Sequence, residues 1–190
     1  MSTDPEDGKY EIQEAHLKAI ANAKQEIVLI YPYFSDDRMV DEVVRAKKKY
    51  PNLSVRVLIP GGKEDSFIGT LFTNLNDSTA IQLLSVGAEV RTYEGDTVNG
   101  KKVERFSHFK GLLIDNALLS IGSANADARS FHDNHELNTL ISDDEAIRSF
   151  RERVVEPDWA SAKPLSLDQL QGGWFRKLKR AVLEWLDFLF

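Results

Sequence analysis

Short apolar runs alternate along the chain with segments of helical periodicity, and this pattern restricts the fold more than any other feature of the sequence. The apolar runs, which predict buried strands, are Ile27–Tyr31, Ser54–Pro60 and Ala88–Tyr93. The helical segments are residues 12–24, Arg38–Tyr50 and Ser78–Val86. This alternation predicts an α/β fold in which a mixed central β-sheet is flanked by helices.

Two further apolar runs, Phe109–Ile114 and Ala117–Ile121, are separated only by Asp115-Asn116. That pair suits a two-residue hairpin turn, because Asp and Asn tolerate the positive φ angles that such turns require. A two-residue turn would pair Ile114 with Ala117. Continued along the ladder, the same register places Ser123 opposite His108 and Asn125 just past it.

The length of 190 residues suits one domain with a substantial core. We expect a disordered lead-in at residues 1–9 and a catalytic domain at residues 10–158, with Asp144–Val155 as its closing helix. A linker at residues 159–173 contains Pro164, Gly172 and Gly173. A C-terminal amphipathic helix is predicted at residues 174–190.

The charge balance, with 24 Lys plus Arg against 30 Asp plus Glu, is that of an acidic protein. This balance argues against a general nucleic-acid binder, since phosphate backbones are held by clustered cations. Because the chain has no cysteine, disulfide and thiolate chemistry are excluded. No apolar run reaches the ~20 residues that cross a bilayer.

The C-terminal segment WFRKLKRAVLEWLDFLF combines early basic residues with an apolar stripe that contains Trp174 and Trp185. A basic, Trp-bearing amphipathic helix is suited to a membrane interface that contains anionic lipids. The same periodicity also suits a helix packed on the domain or at a dimer interface. The sequence leaves both alternatives open.

The polar residues around the second pair of apolar runs form a candidate catalytic group. In a strand, His108 and Lys110 lie on one face, so that an imidazole stands beside a fixed positive charge. Glu136 is the only nearby carboxylate followed by a strand-like run. We therefore expect Glu136 to bind the second imidazole nitrogen of His108 and fix its tautomer.

These residues carry a family resemblance. The chain reads His108-x-Lys110, then Asp115 after four residues, then Gly122-Ser123-x-Asn125, and then RSF-x2-N-x-E-x-N from Arg129 to Asn138. This pattern resembles the phospholipase D superfamily, most closely the C-terminal half of bacterial cardiolipin synthases. Six or more polar positions agree at fixed spacing over a region of roughly residues 11–158, which makes the signal specific.

The resemblance implies a phospholipase D-like half-domain that transfers a phosphatidyl group without a metal or other cofactor. One histidine attacks phosphorus to form a phosphohistidine, and a second protonates the leaving alcohol. By resemblance the catalytic residues are His108, Lys110, Asp115 and Glu136, and the phosphate is bound by Lys110, Ser123 and Asn125. The implied substrate is a phospholipid similar to phosphatidylglycerol, with nucleic acid not expected.

The resemblance also implies that one chain is incomplete. Family members use two half-sites of this kind, and only one is found here, so a second copy or a separate chain must supply the other. We expect a cytoplasmic protein at the membrane periphery. Two alternatives remain: a metal-independent nuclease acting as a homodimer, and an inactive split or truncated second half.

Two other histidine patterns have structural interpretations. His16-Leu17-Lys18 also reads His-x-Lys, but Ala23 occupies the position of the aspartate, and we expect His16 on a helix surface. His132, Asp133 and His135 precede Glu136 with a spacing that fits no standard zinc site, so no metal is expected there.

Overall fold

The computed structural model describes residues 1–61 and 67–171, without the side chains of residues 67–73, 96–98, 102 and 104. The predicted helix at residues 174–190 lies outside the described residues. The helices are α1 Glu11–Asn22, α2 Asp37–Lys49, α3 Phe67–Ser85, α4 Ala128–His132, α5 Asp144–Phe150, α6 Glu156–Ser161 and α7 Leu167–Gln171. A π-helical turn, Arg151–Val155, joins α5 to α6. The strands are β1 Ser2–Asp4, β2 Lys9–Tyr10, β3 Glu26–Ile30, β4 Ser54–Pro60, β5 Glu89–Tyr93, β6 Gly95–Val98, β7 Lys101–Glu104, β8 Gly111–Ile114, β9 Leu118–Gly122, β10 Glu136–Ile141 and β11 Lys163–Pro164.

Within the described residues the main sheet has nine strands in the order β11-β5-β4-β3-β8-β9-β10-β1-β2. Strands β3, β4 and β5 are parallel to one another, whereas the remaining neighbours are antiparallel. The predicted mixed α/β sheet is therefore confirmed. Its parallel part arises because α2 and α3 provide the crossovers that parallel strands require.

The central strands are buried on both faces, as their nearly continuous apolar runs predict. In β3, Ile27 and Leu29 belong to one core cluster, while Val28 and Ile30 belong to the other. Side chains of α1 and α2 cover the first face. Ile147 of α5 and Trp159 of α6 cover the second. The sheet is thus a middle layer between two sets of helices.

The prediction that residues 1–9 are disordered is wrong. Ser2 and Thr3 pair with Leu137 and Glu136, so that β1 extends the sheet beyond β10. The terminal amino group of Met1 donates to the Asn138 carbonyl at 3.0 Å, and Asn138 N–H donates back to the Met1 carbonyl at 3.0 Å. The segment is ordered because it pairs with β10. Without it, β10 would be an edge strand with unpaired backbone N–H and C=O groups.

The predicted linker at residues 159–173 is also wrong for its described part. Trp159 ends up in the core, Lys163 and Pro164 pair with β5, and Leu170 of α7 is buried. The guanidinium groups of Arg56 and Arg91 lie 5.4 and 4.5 Å from the Trp159 ring centroid. These cation–π contacts fix the segment on the sheet and extend the domain past residue 158.

The polar stretch between β5 and His108 forms a hairpin. Strands β6 and β7 pair antiparallel around Asn99 and Gly100, whose φ angles are 52° and 75°. Asn-Gly at positive φ is the strongest short-range hairpin signal. The hairpin ends at Glu104, four residues before His108, and Arg105 N–H donates to the Glu94 carbonyl at 3.3 Å.

Candidate active site

The candidate site lies at the end of the sheet that is formed by the carboxyl ends of the parallel strands. Gly111, the first residue of β8, pairs with Ile30, the last residue of β3. His108 and Lys110 therefore lie just outside the carboxyl end of β3, in an extended loop rather than in the predicted strand. Open α/β sheets bind ligands in this position, because the strand ends and the following loops leave a crevice there.

The structure brings His108 and Lys110 together as expected. The Lys110 ammonium lies 2.9 Å from Nδ1 and 3.1 Å from Nε2 of His108, and 3.0 Å from the His108 carbonyl oxygen. Lys110 is buried, whereas His108 is exposed beside Phe106, with ring centroids 6.1 Å apart. A fixed cation thus sits beneath an imidazole that a substrate can reach.

The electrostatics favour the neutral form of this imidazole. Desolvation, and secondly the positive charge of Lys110, lower the pKa of His108 below its usual value of 6.5. Desolvation also lowers the pKa of Lys110. His108 consequently carries a free nitrogen lone pair at neutral pH, which both a nucleophile and a proton acceptor require.

Two carboxylates offset the burial of the Lys110 ammonium. Glu136 and then Asp127 act to raise the pKa of Lys110, opposing the larger effect of desolvation. Asp127, which sequence reasoning missed, is buried and caps α4 by accepting from Ser130 N–H at 2.8 Å. Its position before a short helix, as Asp-x-x-Ser, was the available signal. Asp127 is therefore a structural cap that also balances the buried charge.

The hairpin turn is present, but its predicted register is wrong by one residue. Asp115 and Asn116 have φ angles of 51° and 53° as expected, and Ala117 N–H donates to the Ile114 carbonyl at 2.9 Å. However, Ile114 pairs with Leu118 instead of Ala117, so Ala117 is an extra residue at the turn. The shift removes Ser123 from its predicted position opposite His108.

Ser123 and Glu136 bind each other instead. The Ser123 hydroxyl donates to the Glu136 carboxylate, and Leu137 N–H donates to the Ser123 Oγ at 3.1 Å. The hydrogen bonds of the Glu136 side chain in the described structure do not extend to His108, contrary to the predicted role of fixing its tautomer. Through its charge, Glu136 instead acts on Lys110.

Asn125 lies at the same edge of the sheet and is held firmly by its neighbours. Ala124 N–H donates to Asn138 Oδ1 at 3.2 Å, and Ala126 N–H donates to the Tyr33 carbonyl at 3.1 Å. The Asn125 Oδ1 is buried and has no hydrogen-bond partner among the described residues. A buried polar atom of this kind is stabilised when a ligand supplies the missing partner.

Asp115 is far from His108, and its predicted catalytic role does not fit its position. Six residues lie between the two, and the four that form β8 alone span roughly 13 Å at about 3.3 Å per residue. The carboxylate accepts from the N–H groups of Lys24, Gln25 and Glu26 at 2.8–2.9 Å. Desolvation raises the pKa of Asp115, but these hydrogen bonds outweigh it and the net shift is downward. Asp115 joins the β8–β9 turn to the start of β3.

His16 is buried, which corrects its predicted place on a helix surface. Its Nε2 lies 2.8 Å from the Ser120 hydroxyl, which also accepts from Asn138 Nδ2 at 3.2 Å. Burial lowers the pKa of His16 to about 4, so that the ring is neutral at pH 7. Since Asn138 also binds Ala124 N–H, a buried polar chain links α1 to the backbone beside Asn125.

The remaining histidines serve other contacts. The His132 ring lies 5.1 Å from that of Tyr10, and His135 Nδ1 lies 3.5 Å from the Asp4 carboxylate. In the described parts of the chain no three His, Asp or Glu side chains converge as metal ligands would. Both histidines thus interact with the N-terminal segment.

Comparison with known families decides the assignment. Residues 16–159 match the family described as the cardiolipin synthase, phospholipase D-like domain, a stretch that includes every candidate site residue. The chain belongs to this phospholipase D-like family. The predicted recognition is therefore confirmed, and the His108-x-Lys110 segment and Asn125 occupy a fold that the family shares.

A curated relative of this phospholipase D-like domain is the cardiolipin synthase of Listeria monocytogenes. The two are 30% identical over 156 residues, which is 82% of this chain but only 30% of the relative. The chain thus spans under a third of the length of the cardiolipin synthases that it matches.

Solved structures share the fold. Nuc from Salmonella typhimurium, a phospholipase D family member, superposes with a TM-score of 0.66 at 19% identity, over 87% of this chain and 96% of Nuc. Phosphatidylserine synthase from Haemophilus influenzae gives a TM-score of 0.64 at 14% identity, over 87% of this chain but 39% of the synthase. The phospholipase D-like sandwich is therefore confirmed as the fold class.

Within residues 1–61 and 67–171, no helix combines the length and the apolar character that a bilayer span requires.

Proposed function

We propose that this chain is one half of a phosphatidyltransferase of the cardiolipin synthase type, acting on glycerophospholipids such as phosphatidylglycerol. The observation that carries the proposal is the neutral, exposed imidazole of His108 held at 2.9 Å and 3.1 Å from the buried ammonium of Lys110. The partnerless carboxamide oxygen of Asn125 at the same end of the sheet is an acceptor that would suit an alcohol hydroxyl of the substrate. The family membership and the cardiolipin synthase relatives provide independent support.

In the first step, an imidazole nitrogen attacks phosphorus and the P–O bond to the leaving alcohol breaks. The leaving oxygen takes its proton from the histidine of a second half-site. In the second step that histidine accepts the proton of an acceptor alcohol, whose oxygen displaces the phosphohistidine nitrogen. In a symmetric dimer His108 serves both roles; with a separate first half, the resemblance favours His108 as the general acid.

Lys110 and Asn125 stabilise the transition state. The Lys110 ammonium is held in place before the substrate arrives, so it need not reorganise as negative charge develops on the phosphoryl oxygens, to which the Asn125 amide N–H groups would also donate. Ser123 and Glu136 take supporting parts, because their mutual hydrogen bond and the charge of Glu136 hold this edge of the sheet and balance Lys110. We assign Asp115 to the scaffold.

The lipid substrate places the reaction at a membrane surface, and we propose a cytoplasmic protein at the membrane periphery. The amphipathic segment at residues 174–190, which carries Trp174 and Trp185 beside basic residues, would supply the contact.

The test uses the purified full chain with phosphatidylglycerol vesicles, in the presence of a chelator, and follows cardiolipin and free glycerol by mass spectrometry. We expect His108→Ala to lower product formation by roughly 10³-fold or more. His135→Ala is the matched control, since that histidine is exposed and contacts Asp4. Equal activity of wild type and His108→Ala would refute the proposal.

Cleavage of nucleic acid is a second candidate, because the chain matches 96% of Nuc and so has the size of a compact single-motif member. This match weakens the expectation that nucleic acid is not a substrate. Plasmid DNA in the same chelated buffer separates the two candidates. Nicking that depends on His108, without lipid turnover, would favour the nuclease; inactivity on both substrates would favour the inactive half.

A further inference from the structure

Helix α1 carries two polar side chains in the stripe that faces the core. Gln13 and His16 are each 1% exposed and lie between the buried Ile12 and Ile20. Nδ1 of His16 is buried without a hydrogen-bond partner among the described residues. Polar groups in such positions cost free energy that apolar side chains would not. Their other hydrogen bonds lead from α1 to the two neighbours of Asn125.

The first chain of hydrogen bonds begins at His16, whose Nε2 lies 2.8 Å from the Ser120 Oγ. Asn138 Nδ2 donates to the same oxygen at 3.2 Å, and Ala124 N–H donates to Asn138 Oδ1 at 3.2 Å. Because a backbone N–H can only donate, Asn138 must present its oxygen to Ala124 and its nitrogen to Ser120. The Ser120 proton is then left for His16 Nε2. The ring accepts it in its neutral form, which burial favours by lowering the pKa to about 4.

The second chain begins at Gln13, on the same side of α1. Its Nε2 donates to Asp36 Oδ2 at 2.8 Å, while its Oε1 accepts from the Arg38 guanidinium at 2.8 Å. The backbone N–H groups of Ser35 and Asp36 donate to the Ala126 carbonyl at 2.8 and 2.9 Å. Gln13 thus holds the side chain of a residue whose backbone binds Ala126.

The two chains fix the backbone on both sides of Asn125, through Ala124 and through Ala126. The carboxamide oxygen of Asn125 itself has no partner among the described residues. An asparagine side chain adopts only a few staggered conformations, so its position depends mainly on where the backbone is held. A displacement of a catalytic group by about 1 Å can lower a rate on the order of 10²-fold.

Resting on the proposed function, in which Asn125 binds the substrate, we propose that His16 and Gln13 are positioning residues for the reaction. They hold the Asn125 carboxamide in the place where it meets the phosphoryl group, and they act only through Asn125 because both are buried. We call the whole network the α1 clamp, which consists of these two residues with Ser120, Asn138 and Asp36.

A double-mutant cycle between Asn138 and Asn125 tests the α1 clamp. Asn138→Leu keeps the size of the side chain and removes its hydrogen bonds. The purified full chain is assayed for kcat and KM on phosphatidylglycerol in mixed detergent micelles. A second assay uses bis(4-nitrophenyl) phosphate, a soluble diester without a lipid part. Urea denaturation confirms that each variant is folded.

We expect Asn125→Ala to lower kcat about 10²-fold, as the loss of one donor to a developing oxyanion does. Asn138→Leu should lower kcat about tenfold with KM nearly unchanged, because the misplaced carboxamide loses contacts that strengthen in the transition state. The double variant should be no slower than Asn125→Ala alone, since Asn138 then has nothing left to position.

The two ends of the α1 clamp are tested in the same way. His16→Leu and Gln13→Leu should each lower kcat about threefold to tenfold, the effect of one lost hydrogen bond, and neither should lower it further when Asn125 is alanine. His16→Gln, which keeps a hydrogen-bonding group for Ser120, should restore most of the activity. Ile147→Val, buried on the other face of the sheet, is the control and should keep the wild-type kcat.

If Asn138→Leu lowers kcat by the same factor with and without Asn125, it acts independently of Asn125 and the α1 clamp is overturned. A folded Asn138→Leu variant with wild-type kcat would overturn it too. Cleavage of bis(4-nitrophenyl) phosphate without turnover of phosphatidylglycerol would refute the proposed function, while the cycle measured on the soluble diester would still decide the clamp. Inactivity on both substrates would refute both.

Discussion

At the scale of single residues, His108 and His16 show how one side chain acquires opposite roles from its surroundings. Both are followed by Lys at the second position along the chain. His108 lies in an exposed loop, where Lys110 folds back against its ring. His16 lies in α1, where side chains two residues apart point in different directions, and it faces the core.

The burial of His16 predicts acid-sensitive stability. Because its pKa is about 4 in the folded state and 6.5 in the unfolded state, the unfolded chain binds more protons between these values. The contribution of the buried, neutral His16 to the stability of the fold is fully present above pH 6.5 and is lost as the pH falls toward 4. Urea denaturation at pH 7 and at pH 5 gives the free energy of unfolding at each pH. We expect the decrease in this free energy from pH 7 to pH 5 to be about 2 kcal/mol smaller in His16→Gln than in wild type.

His135→Gln is the control for this measurement, because it removes an exposed histidine and leaves the buried His16 in place. An identical loss of stability in His16→Gln and wild type would show that His16 is not neutral and buried in solution.

At the scale of elements, tight contacts fix the strands around the site. A Cβ added to Gly122, at the end of β9, would lie 2.2 Å from the Leu137 carbonyl oxygen and 2.3 Å from Asn138 Oδ1. Glycine therefore permits β10 to approach closely and lets Asn138 bind Ala124 N–H. In the Gly122-Ser123-x-Asn125 sequence the glycine thus serves packing, whereas ligand binding by Asn125 is part of the proposed function.

The N-terminal strand gives a prediction at this scale. Removing residues 1–8 deletes β1, including the two hydrogen bonds between Met1 and Asn138, and exposes the edge of β10 with Leu137. We expect stability to fall by roughly 1–3 kcal/mol and the protein to self-associate, because a free strand edge pairs with other chains. Urea denaturation and light scattering measure the two effects.

Thr3→Pro is a finer version of this test, since Thr3 is buried in β1 and proline disrupts strand pairing. Glu6→Ala, in the exposed turn, is its control. A deletion variant as stable and as monodisperse as the full chain would mean that the segment does not cover β10 in solution.

At the scale of the whole molecule, the described residues of the chain contain one His108–Lys110 pair, which lies just past the carboxyl end of β3. The proposed reaction needs a nucleophile and an acid on opposite sides of phosphorus, and one imidazole cannot occupy both positions. A second half-site must therefore face the first. Two copies of this chain, related by a twofold axis, would satisfy the requirement.

Dilution tests this requirement. If two copies form the site, activity per chain should fall in proportion to the dimer fraction as the protein is diluted below its dissociation constant, which light scattering measures independently. A tandem fusion of two copies should keep its activity over the same range. Constant activity per chain in a sample that is monomeric by mass would contradict the shared site.

Much of the fold could be predicted from the sequence, because strands that are buried on both faces appear as nearly continuous apolar runs. The apolar runs of β3, β4 and β5 and the helix α2 were predicted nearly in place, as was the hairpin turn at Asp115-Asn116. Helix α3 begins at Phe67, eleven residues before its predicted start at Ser78. The β6–β7 hairpin was missed, although Asn99-Gly100 indicated it, since its strands are polar. Residues 1–9 and 159–171 were misassigned, because their order comes from neighbours distant in sequence.

The amino-acid sequence by itself determined the family, the mixed α/β sheet and the pairing of His108 with Lys110, because each depends on local periodicity or on residue types at fixed spacing. Only the tertiary structure decided that Glu136 binds Ser123, that Asp115 holds the start of β3, and that His16 is buried. The Ser123–Glu136 contact follows from the register of β9 and β10, and the Asp115 contact from that of β3 and β8, while the single extra residue Ala117 shifts the register of β8 and β9. A shift of one residue changes which side chains meet across a sheet, and long-range packing rather than local pattern sets it.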